Sequence, residues 1–281
     1  MESYTMKRLD TSTFGPWAMI TGASSGIGEE FARQLAASGL HLVLVARRLS
    51  ALEALGSELA HTFGIRYRAI GLDLTTDDAL ATLTEATQDL DIGLVISNAG
   101  AMTAGDFLLM EHQALQRDLR LNVQTHLDLA HRFGQYLAQR GRGGLLLVAS
   151  TTGLQGVPFA AEYAAAKAYV LSLGEALHVE FQKVGVHVTA LSPGATDTPM
   201  IAASGFDPAQ MPMKPMTTRQ CVAEGLAALA ANQATRIPGR LNRLMAAMMP
   251  RSLATRMYGS MMRRTLAGRS VPTTSVFQGT R

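Results

Sequence analysis

Two side chains in the segment EYAAAKAYV are spaced to move a proton. Tyr163 and Lys167 are four residues apart, so on a helix they lie on the same face. A tyrosine with its ordinary pKa near 10 is too weak an acid for fast proton transfer at neutral pH. A lysine ammonium nearby favours the phenolate, and lowering the pKa by about three units takes ~4 kcal/mol. The alternative is a packed ring beside a lysine whose stem covers apolar surface.

A glycine-rich turn, TGASSGIG, covers Thr21 to Gly28. Its glycines allow a tight turn, and their missing side chains let backbone N–H groups approach a pyrophosphate. A following helix would place its positive end against the phosphates. Because a strand-like run precedes the turn and a helical pattern follows it within a ~30-residue unit, we predict dinucleotide binding rather than an ordinary loop. The candidate residues are Gly22, Ser24, Ser25, Gly26, Ile27 and Gly28.

The elements that must position these residues alternate along the chain between strand and helix. The strand-sized apolar runs are 16–20, 41–46, 66–72, 92–97, 144–149 and 186–192, and the helical patterns are 26–38, 49–62, 77–89, 111–139 and 160–184. Near-continuous apolarity is typical of strands covered on both faces. The alternation predicts a single doubly wound, Rossmann-type α/β domain with a mainly parallel sheet of about seven strands. Ligands then bind at the carboxyl ends of the strands.

The spacing TGxxxGxG in the turn matches in full the opening motif of the short-chain dehydrogenase/reductase family, which the chain resembles over about residues 15–200. It is also similar to a bacterial branch of that family that resembles ketoacyl and 17β-hydroxysteroid reductases. The resemblance implies a catalytic tetrad of Asn122, Ser150, Tyr163 and Lys167. In it Tyr163 donates the proton, Ser150 holds the substrate oxygen and Lys167 also binds the nicotinamide ribose. Asn122 anchors a water that links Lys167 to bulk solvent, although taken alone it could bond a backbone carbonyl.

The end of the second predicted strand bears on the choice of coenzyme. NAD-specific enzymes usually place an acidic residue there to bind the ribose hydroxyls, but here Ala46 is followed by Arg47 and Arg48. A guanidinium can bind the 2′-phosphate of NADP through two hydrogen bonds. These residues predict NADP(H) as the coenzyme, and the alternative is that both arginines are merely solvated.

Three further turns match family motifs that line the coenzyme. They follow the third, fourth and sixth predicted strands. The resemblance implies coenzyme contacts at Asp73, Leu74, Asn98, Ala99, Gly100, Tyr163, Lys167, Pro193, Gly194, Thr196 and Thr198. Taken singly, Asp73 could be a plain helix cap and Asn98 a turn residue.

The chain beyond residue 200 departs from the strand–helix pattern. Residues 200–216 are rich in Met and Pro, and we expect a lid over the substrate in which Phe206, Met211 and Met213 are candidate contacts.

Residues 236–281 are expected to form a basic, amphipathic, helical C-terminal extension, with its helix broken at Pro250. Nine arginines and no acid follow Glu224. The extension either packs on the body or on a second subunit, which we favour, or lies on an anionic membrane surface. The predicted division is residues 1–14, an N-terminal segment; 15–235, the Rossmann-type domain; and 236–281, the extension.

The composition of the chain excludes several other classes of protein. One cysteine excludes a disulfide framework and any multi-cysteine metal site, so we expect no metal. No run approaches 18 apolar residues, and we expect a cytoplasmic protein that does not bind nucleic acid.

The sequence thus predicts an NADP(H)-dependent carbonyl reductase or secondary alcohol dehydrogenase for an apolar substrate, working as a homodimer or homotetramer. The alternatives are an NAD-preferring alcohol dehydrogenase and a redox sensor that binds NADP(H) without turnover.

Overall fold

Seven strands form one sheet, in the order β3-β2-β1-β4-β5-β6-β7, and every neighbouring pair is parallel. The computed structural model describes residues 9–204 and 214–267. The strands are β1 (Trp17–Thr21), β2 (His41–Ala46), β3 (Tyr67–Gly71), β4 (Ile92–Ser97), β5 (Gly143–Val148), β6 (Val186–Leu191) and β7 (Thr235–Arg236). The order reverses between β1 and β4, so the topological switch point lies beside the glycine-rich turn that follows β1.

The helices of the described residues connect these strands and continue past the last one. They are α1 (Thr11–Phe14), α2 (Gly26–Ala37), α3 (Leu49–Phe63), α4 (Ala79–Glu85), α5 (His112–Leu119), α6 (Thr125–Arg140), α7 (Ala161–Gln182), α8 (Pro199–Ser204), α9 (Thr218–Ala230), α10 (Arg240–Met248) and α11 (Arg251–Ala267). Short 3₁₀ turns cover Phe107–Leu109 and Thr151–Leu154. No helix in these ranges is long and apolar enough to cross a membrane.

Side chains of successive strand residues enter two cores, one on each face of the sheet. In β1, Ala18 and Ile20 join the core beneath α2, α3 and α9, whereas Trp17 and Met19 join the core beneath α4, α6 and α7. All five β1 residues are buried, as expected for a strand covered on both faces. Burying each large apolar side chain contributes roughly 1.5–3 kcal/mol to folding. The two cores therefore hold the carboxyl ends of the strands in fixed positions.

The predicted strands and fold class are confirmed, and the differences lie in the helices and the sheet edge. The six predicted runs match observed strands to within one residue at each end. The seventh strand, Thr235–Arg236, has only two residues and no apolar run that could reveal it. The single helix expected over 111–139 is three pieces, because a π-helical segment, Arg120–Gln124, separates α5 from α6. The predicted break at Pro250 is confirmed by the end of α10 and the start of α11.

A nearly buried carboxylate holds the first helix of the extension against the body. The Glu224 side chain, on α9, is 3% exposed. It accepts hydrogen bonds from Arg236 (2.7 Å), Arg243 (2.9 Å) and the backbone N–H of Gly239 (3.1 Å). Burial alone would raise the pKa of Glu224, but these bonds, with one from Gln220, hold the pKa below its usual value. Glu224 therefore links α9, β7 and α10 through one ionised group.

Replacing this carboxylate by an amide, Glu224→Gln, is expected to lower the melting temperature by about 5 °C, because bonds to a charged acceptor weaken inside the protein. The depressed pKa fixes the sign of the pH dependence: the stabilisation is present above about pH 4.5 and is lost as the pH falls through the lower folded-state pKa. Thermal unfolding of both proteins at several pH values measures this. The exposed Glu58→Gln is the control, and an equal loss in both variants would contradict the prediction.

Candidate active site

A single cavity of about 1800 Å³ collects almost every predicted site residue at the carboxyl ends of the strands. A pocket for one small ligand usually measures about 300–1,000 Å³, so this cavity has room for a coenzyme and a second molecule. It is lined by the glycine-rich turn, the ends of β2 to β6, the start of α7 and, unexpectedly, by α10 and α11.

The glycine-rich turn passes from β1 into α2 in a form that only glycine permits at two positions. Gly22 has a φ of +68°, which residues with a side chain rarely adopt. A Cβ atom on Gly28 would lie 2.2 Å from the carbonyl oxygen of Gly22, so the helix could not come this close to the strand. Ser25 is the N-cap of α2 but makes no side-chain capping bond. The turn thus directs a helix N-terminus and two serine side chains at the cavity.

The two arginines after β2 lie beside this turn. Arg47 and Arg48 are both exposed and line the cavity, and Arg48 donates hydrogen bonds to the Ser24 carbonyl (3.2 Å) and hydroxyl (3.3 Å). Asp73, after β3, accepts bonds from the backbone and hydroxyl of Thr75, at 3.0 and 2.8 Å. The bond from the Thr75 backbone is the main reason that the pKa of Asp73 is lowered, with a smaller contribution from Arg47.

The Asn98-Ala99-Gly100 turn lies between the glycine-rich turn and the tetrad. Asn98 donates from its side chain to the Thr21 carbonyl (2.9 Å), which ties the end of β4 to the end of β1. A Cβ atom on Gly100 would lie 2.9 Å from Asn122 Oδ1 and 3.4 Å from Lys167 Nζ. Glycine at this position lets the turn pack directly on two of the tetrad residues.

Asn122 lies in the π-helical segment and clamps one residue of the neighbouring loop. Its side chain accepts from the N–H of Ala101 (3.1 Å) and donates to the carbonyl of the same residue (2.8 Å). The side chain is fully buried. Asn122 therefore makes the hydrogen bond to a backbone carbonyl that the sequence analysis gave as its alternative role. The water-holding role of Asn122 stays a prediction.

Ser150, Tyr163 and Lys167 converge where β5 ends and α7 begins. The Ser150 side chain lies close enough to the Tyr163 phenol to lower its pKa, and Ser150 accepts a hydrogen bond from the N–H of Thr152 at 3.2 Å. Lys167 donates to the Val148 carbonyl at 2.9 Å, and its Nζ lies 5.7 Å from the centre of the Tyr163 ring. Tyr163 is 8% exposed and Lys167 is 3% exposed.

Burial shifts the pKa values of both Tyr163 and Lys167. The shift of Tyr163 is upward, whereas the sequence predicts a lowered tyrosine pKa. Burial raises the pKa of Tyr163 to about 12, against a lowering by the nearby Ser150 side chain. Burial lowers the pKa of Lys167 to about 8, against a raising by the Glu162 carboxylate. The Lys167 ammonium is directed at the Val148 carbonyl and not at the phenol. Tyr163 therefore holds its proton at neutral pH.

The segment from Pro193 to Thr198 lines the cavity beside the tetrad, where the Pro193 carbonyl accepts hydrogen bonds from the Ser150 hydroxyl (3.4 Å) and the Thr151 N–H (2.9 Å). Thr196 donates to the Gly194 carbonyl at 3.0 Å, and its backbone forms a parallel bridge with Met216. Thr198 reaches the glycine-rich turn, since a Cβ atom on Gly26 would lie 3.1 Å from its methyl group. The segment thus closes one side of the cavity, and the coenzyme roles of its threonines stay predictions.

Comparison with known proteins decides the family. Residues 16–208 match the family model for short chain dehydrogenases. The chain belongs to the short-chain dehydrogenase family. This confirms the resemblance drawn from the TGxxxGxG turn.

The relatives of this dehydrogenase include hydroxysteroid enzymes. A 7β-hydroxysteroid dehydrogenase from Clostridium sardiniense is 35% identical over 186 residues, which cover 66% of this chain and 71% of the relative. A solved structure from work on 7β-hydroxysteroid dehydrogenase stereoselectivity has a TM-score of 0.82 at 27% identity and covers 91% of this chain and 99% of its own. A short-chain dehydrogenase from Sphingobium yanoikuyae in complex with NADPH has a TM-score of 0.77 at 28% identity and covers 95% and 100%. Together they show an oxidoreductase that acts on hydroxyl or carbonyl groups.

The outer wall of the dehydrogenase cavity comes from the C-terminal extension, which the sequence did not predict as part of the site. Met245 of α10, Met249 directly after it, and Met257 and Met261 of α11 all line it. Burial is the main cause of the raised pKa of Tyr258, and Thr151, next to Ser150, lies close enough to lower it in part. The extension therefore lies close to Thr151, the residue that follows Ser150 in the sequence.

The substrate contacts predicted from the sequence belong to a different segment, the lid at residues 200–216. Phe206, Met211 and Met213 lie outside the described residues. Of the predicted lid, Met200 and Ile201 line the cavity. Methionines at helical spacing in the extension were the available signal, but such spacing also suits an ordinary surface helix. Only the folded position of α10 and α11 distinguishes these two roles.

Proposed function

We propose that the protein is an NADP(H)-dependent oxidoreductase that interconverts an apolar ketone and a secondary alcohol, working mainly as a carbonyl reductase. The observation that carries this proposal is that Ser150 and the buried Tyr163 and Lys167 all line the cavity that the glycine-rich turn also lines. A buried phenol that holds its proton is suited to donate it to a carbonyl oxygen.

The residues around the coenzyme side fit NADP(H). Gly22, Gly28 and the N-terminus of α2 offer a pyrophosphate the backbone donors and close approach it needs. Arg47 and Arg48 would hold the 2′-phosphate, and β2 ends in Ala46 rather than in a carboxylate that would repel it. When bound, the coenzyme supplies the hydride for the carbonyl carbon. The NADPH complex of the Sphingobium yanoikuyae relative supports the same choice.

The tetrad residues would manage the oxygen and its proton. Ser150 would donate a hydrogen bond to the substrate oxygen and stabilise the charge that develops there. Tyr163 would transfer its phenolic proton to that oxygen. Lys167, beside Tyr163 and next to Gly100, would hold the nicotinamide ribose and favour the phenolate once the proton has left. Asn122 would keep Ala101 and its loop in place and anchor the water through which the proton is replaced.

An apolar substrate fits the remaining wall of the cavity. Methionine side chains are flexible and polarisable, so they adapt to bulky apolar surfaces. Hydroxysteroids are the substrates in the names of several relatives, which supports a bulky apolar ketone of that kind. The predicted lid contacts Phe206, Met211 and Met213 remain part of this proposal.

The experiment that tests the function is NADPH consumption against a panel of steroid ketones, simpler ketones, aldehydes and 3-oxoacyl esters. We expect turnover of at least one bulky apolar ketone with NADPH and slower turnover with NADH. Equal or faster turnover with NADH would favour the NAD-preferring alternative. Tight NADPH binding without turnover of any compound would favour the redox sensor.

Self-association and location complete the proposal. Val179, on α7, is 63% exposed, and Tyr169 on the same helix is also exposed, which supports pairing of subunits through α7 into a homodimer or homotetramer. Light scattering after size exclusion measures this.

We propose a cytoplasmic location, because the lone cysteine, Cys221, is free and buried.

The predicted division at residues 14 and 235 also stays a proposal, as does membrane contact by the extension. The inner faces of α10 and α11 pack on the body, whereas Leu241, Leu244 and Met248 are exposed on the outer face of α10. Sedimentation with anionic vesicles tests the contact. Absence of binding by the full chain would remove the membrane alternative.

A further inference from the structure

The residue that precedes Tyr163 carries a buried carboxyl group to which the proposed mechanism gives no role. Glu162 lies in the first turn of α7, and both oxygens of its carboxyl group are shielded from solvent although the residue as a whole is partly exposed. Neither oxygen has a hydrogen-bond partner within residues 9–204 and 214–267. Proteins rarely bury a polar group without a partner, so this carboxyl group requires another stabilising interaction or a function.

A second buried carboxylate lies close to Glu162 and makes its ionisation harder. Asp118, on α5, is 8% exposed, lines the cavity and accepts a hydrogen bond from the Thr103 N–H at 3.1 Å. Helix α5 packs against α7. Burial is the main reason that the pKa of Glu162 is raised to about 7, and the charge of Asp118 adds to the rise. Glu162 therefore changes its charge near neutral pH, next to Tyr163.

The positive charge that opposes this rise belongs to Lys167. Lys167 is 3% exposed, and its charge lowers the pKa of Glu162. Burial lowers the pKa of Lys167 to about 8, and the Glu162 carboxylate opposes that shift. Opposite charges attract strongly at a distance inside a protein, because the dielectric constant there is low. Each of the two groups therefore favours the charged form of the other.

The other ionisable side chains beside this pair supply no negative charge. Tyr163 keeps its proton, since burial raises its pKa to about 12. Tyr258, on α11, packs with Tyr163 in one cluster, and burial raises its pKa as well. His126, on α6, is fully buried, and its pKa is lowered by burial and then by the charge of Lys167, so it stays neutral.

The remaining elements that pack against α7 leave Glu162 as the acid that acts on Lys167. Strand β5 and the 3₁₀ turn Thr151–Leu154 carry no ionisable side chain. On α5, Arg117 is exposed and lines the cavity. Ionisable side chains on the π-helical segment, β6 and β7 have other partners, namely Arg120 with Asp77, His187 with the Leu229 carbonyl and Arg236 with Glu224.

We propose that Glu162 is a positioning residue that acts through Lys167: its carboxylate keeps Lys167 an ammonium and extends ketone reduction into the mildly alkaline range. Glu162 loses its proton as the pH rises through about 7, before Lys167, whose pKa is about 8, loses its charge. The carboxylate is therefore ionised over the range in which the ammonium would otherwise be lost. This inference rests on the proposed reductase function, in which the charge of Lys167 favours the phenolate of Tyr163.

Glu162→Gln tests the proposal through the pH dependence of ketone reduction. Glutamine has the shape of the protonated acid but cannot ionise, so the variant should match the wild type near pH 6. Loss of the negative charge should lower the pKa of Lys167 by about one unit, which leaves about a tenth of Lys167 charged at pH 8, against about half in the wild type. We therefore expect kcat/KM for a bulky ketone with NADPH to be about fivefold lower at pH 8. Glu162→Asp keeps the charge and should restore the wild-type profile.

The ionisation of Lys167 can also be measured directly, without turnover. NMR spectra of the protein labelled with ¹³C in its lysine side chains follow the titration of each ammonium group, and the signal that is lost in Lys167→Arg belongs to Lys167. We expect the midpoint of that signal to fall by about one pH unit in Glu162→Gln. The exposed Glu175→Gln, on the same helix, is the matched control and should leave both the midpoint and the rate profile unchanged.

Three results would overturn the proposal. An unchanged midpoint of Lys167 in Glu162→Gln would show that the carboxylate does not act on the ammonium. An equal loss of rate at pH 6 and pH 8 would give Glu162 a purely structural role, and an equal shift in Glu175→Gln would show a general effect of charge. If no ketone is reduced, the proposed function fails, but the titration of Lys167 still decides whether Glu162 acts on it.

Discussion

Tyr163→Phe is expected to lower kcat by about a hundredfold to ten-thousandfold, the range in which a positioned general acid contributes. The variant removes one oxygen and keeps the ring, which packs with Val157, Ala160 and Met262. The coenzyme contacts proposed at the glycine-rich turn and at Arg47 do not involve the phenol. The dissociation constant of NADPH should therefore change little while the rate of ketone reduction falls.

The measurement combines steady-state kinetics with NADPH binding by fluorescence. Tyr169→Phe is the matched control, because Tyr169 lies on the same helix, two residues beyond Lys167, and is 38% exposed. It should keep wild-type activity. If Tyr163→Phe retains more than a tenth of the wild-type kcat, another group delivers the proton and the assignment of Tyr163 is wrong.

The pKa values of the tetrad pair explain why this loss should be large. Burial raises the pKa of Tyr163 to about 12 and lowers the pKa of Lys167 to about 8. The phenol is thus reliably protonated near pH 7, but it becomes a useful acid only if positive charge stabilises the phenolate that remains. Lys167 loses its charge as the pH rises above about 8. The rate at which the wild type reduces a ketone should therefore decline as the pH rises above about 8.

The sheet and the coenzyme turn could be predicted because their physical causes are local in the sequence. A parallel strand buried on both faces must be apolar almost throughout, and β1, β2 and β4 are. The glycine turn is fixed by steric contacts between near neighbours, such as Gly22 with Gly28. Tyr163 and Lys167 are one helical turn apart, so their shared face also follows from the sequence.

The outer wall of the cavity could not be predicted on the same grounds. The helix α10 is apolar on two faces, with Met245 and Ala246 toward the cavity and Leu241 and Leu244 toward solvent. Periodicity alone does not say which face is inside. The contacts that decide it join residues far apart in the sequence, such as Glu224 with Arg243. The π-helical segment around Asn122 escapes prediction for another reason, because it changes the backbone register without any change in side-chain pattern.

Arg47→Asp is expected to reverse the coenzyme preference. Arg47 is exposed at the cavity and close enough to Asp73 to help lower the pKa of that carboxyl. The substitution removes a guanidinium from the proposed 2′-phosphate site and adds a carboxylate, which would repel the phosphate and accept bonds from the ribose hydroxyls of NAD. We expect the ratio of kcat/KM for NADPH to that for NADH to fall about a hundredfold, which corresponds to about 2.7 kcal/mol.

Arg132→Asp makes the same change of charge on α6, at an exposed position that does not line the cavity. It should leave the ratio as in the wild type, since a surface charge at a distance is screened by salt. An equal fall in both variants would mean that overall charge, and not a local contact, sets the preference. If the ratio does not change in Arg47→Asp, the assignment of Arg47 to the 2′-phosphate is wrong, and Arg48 remains as the candidate. Its hydrogen bonds to the Ser24 carbonyl and hydroxyl hold that guanidinium beside the glycine-rich turn.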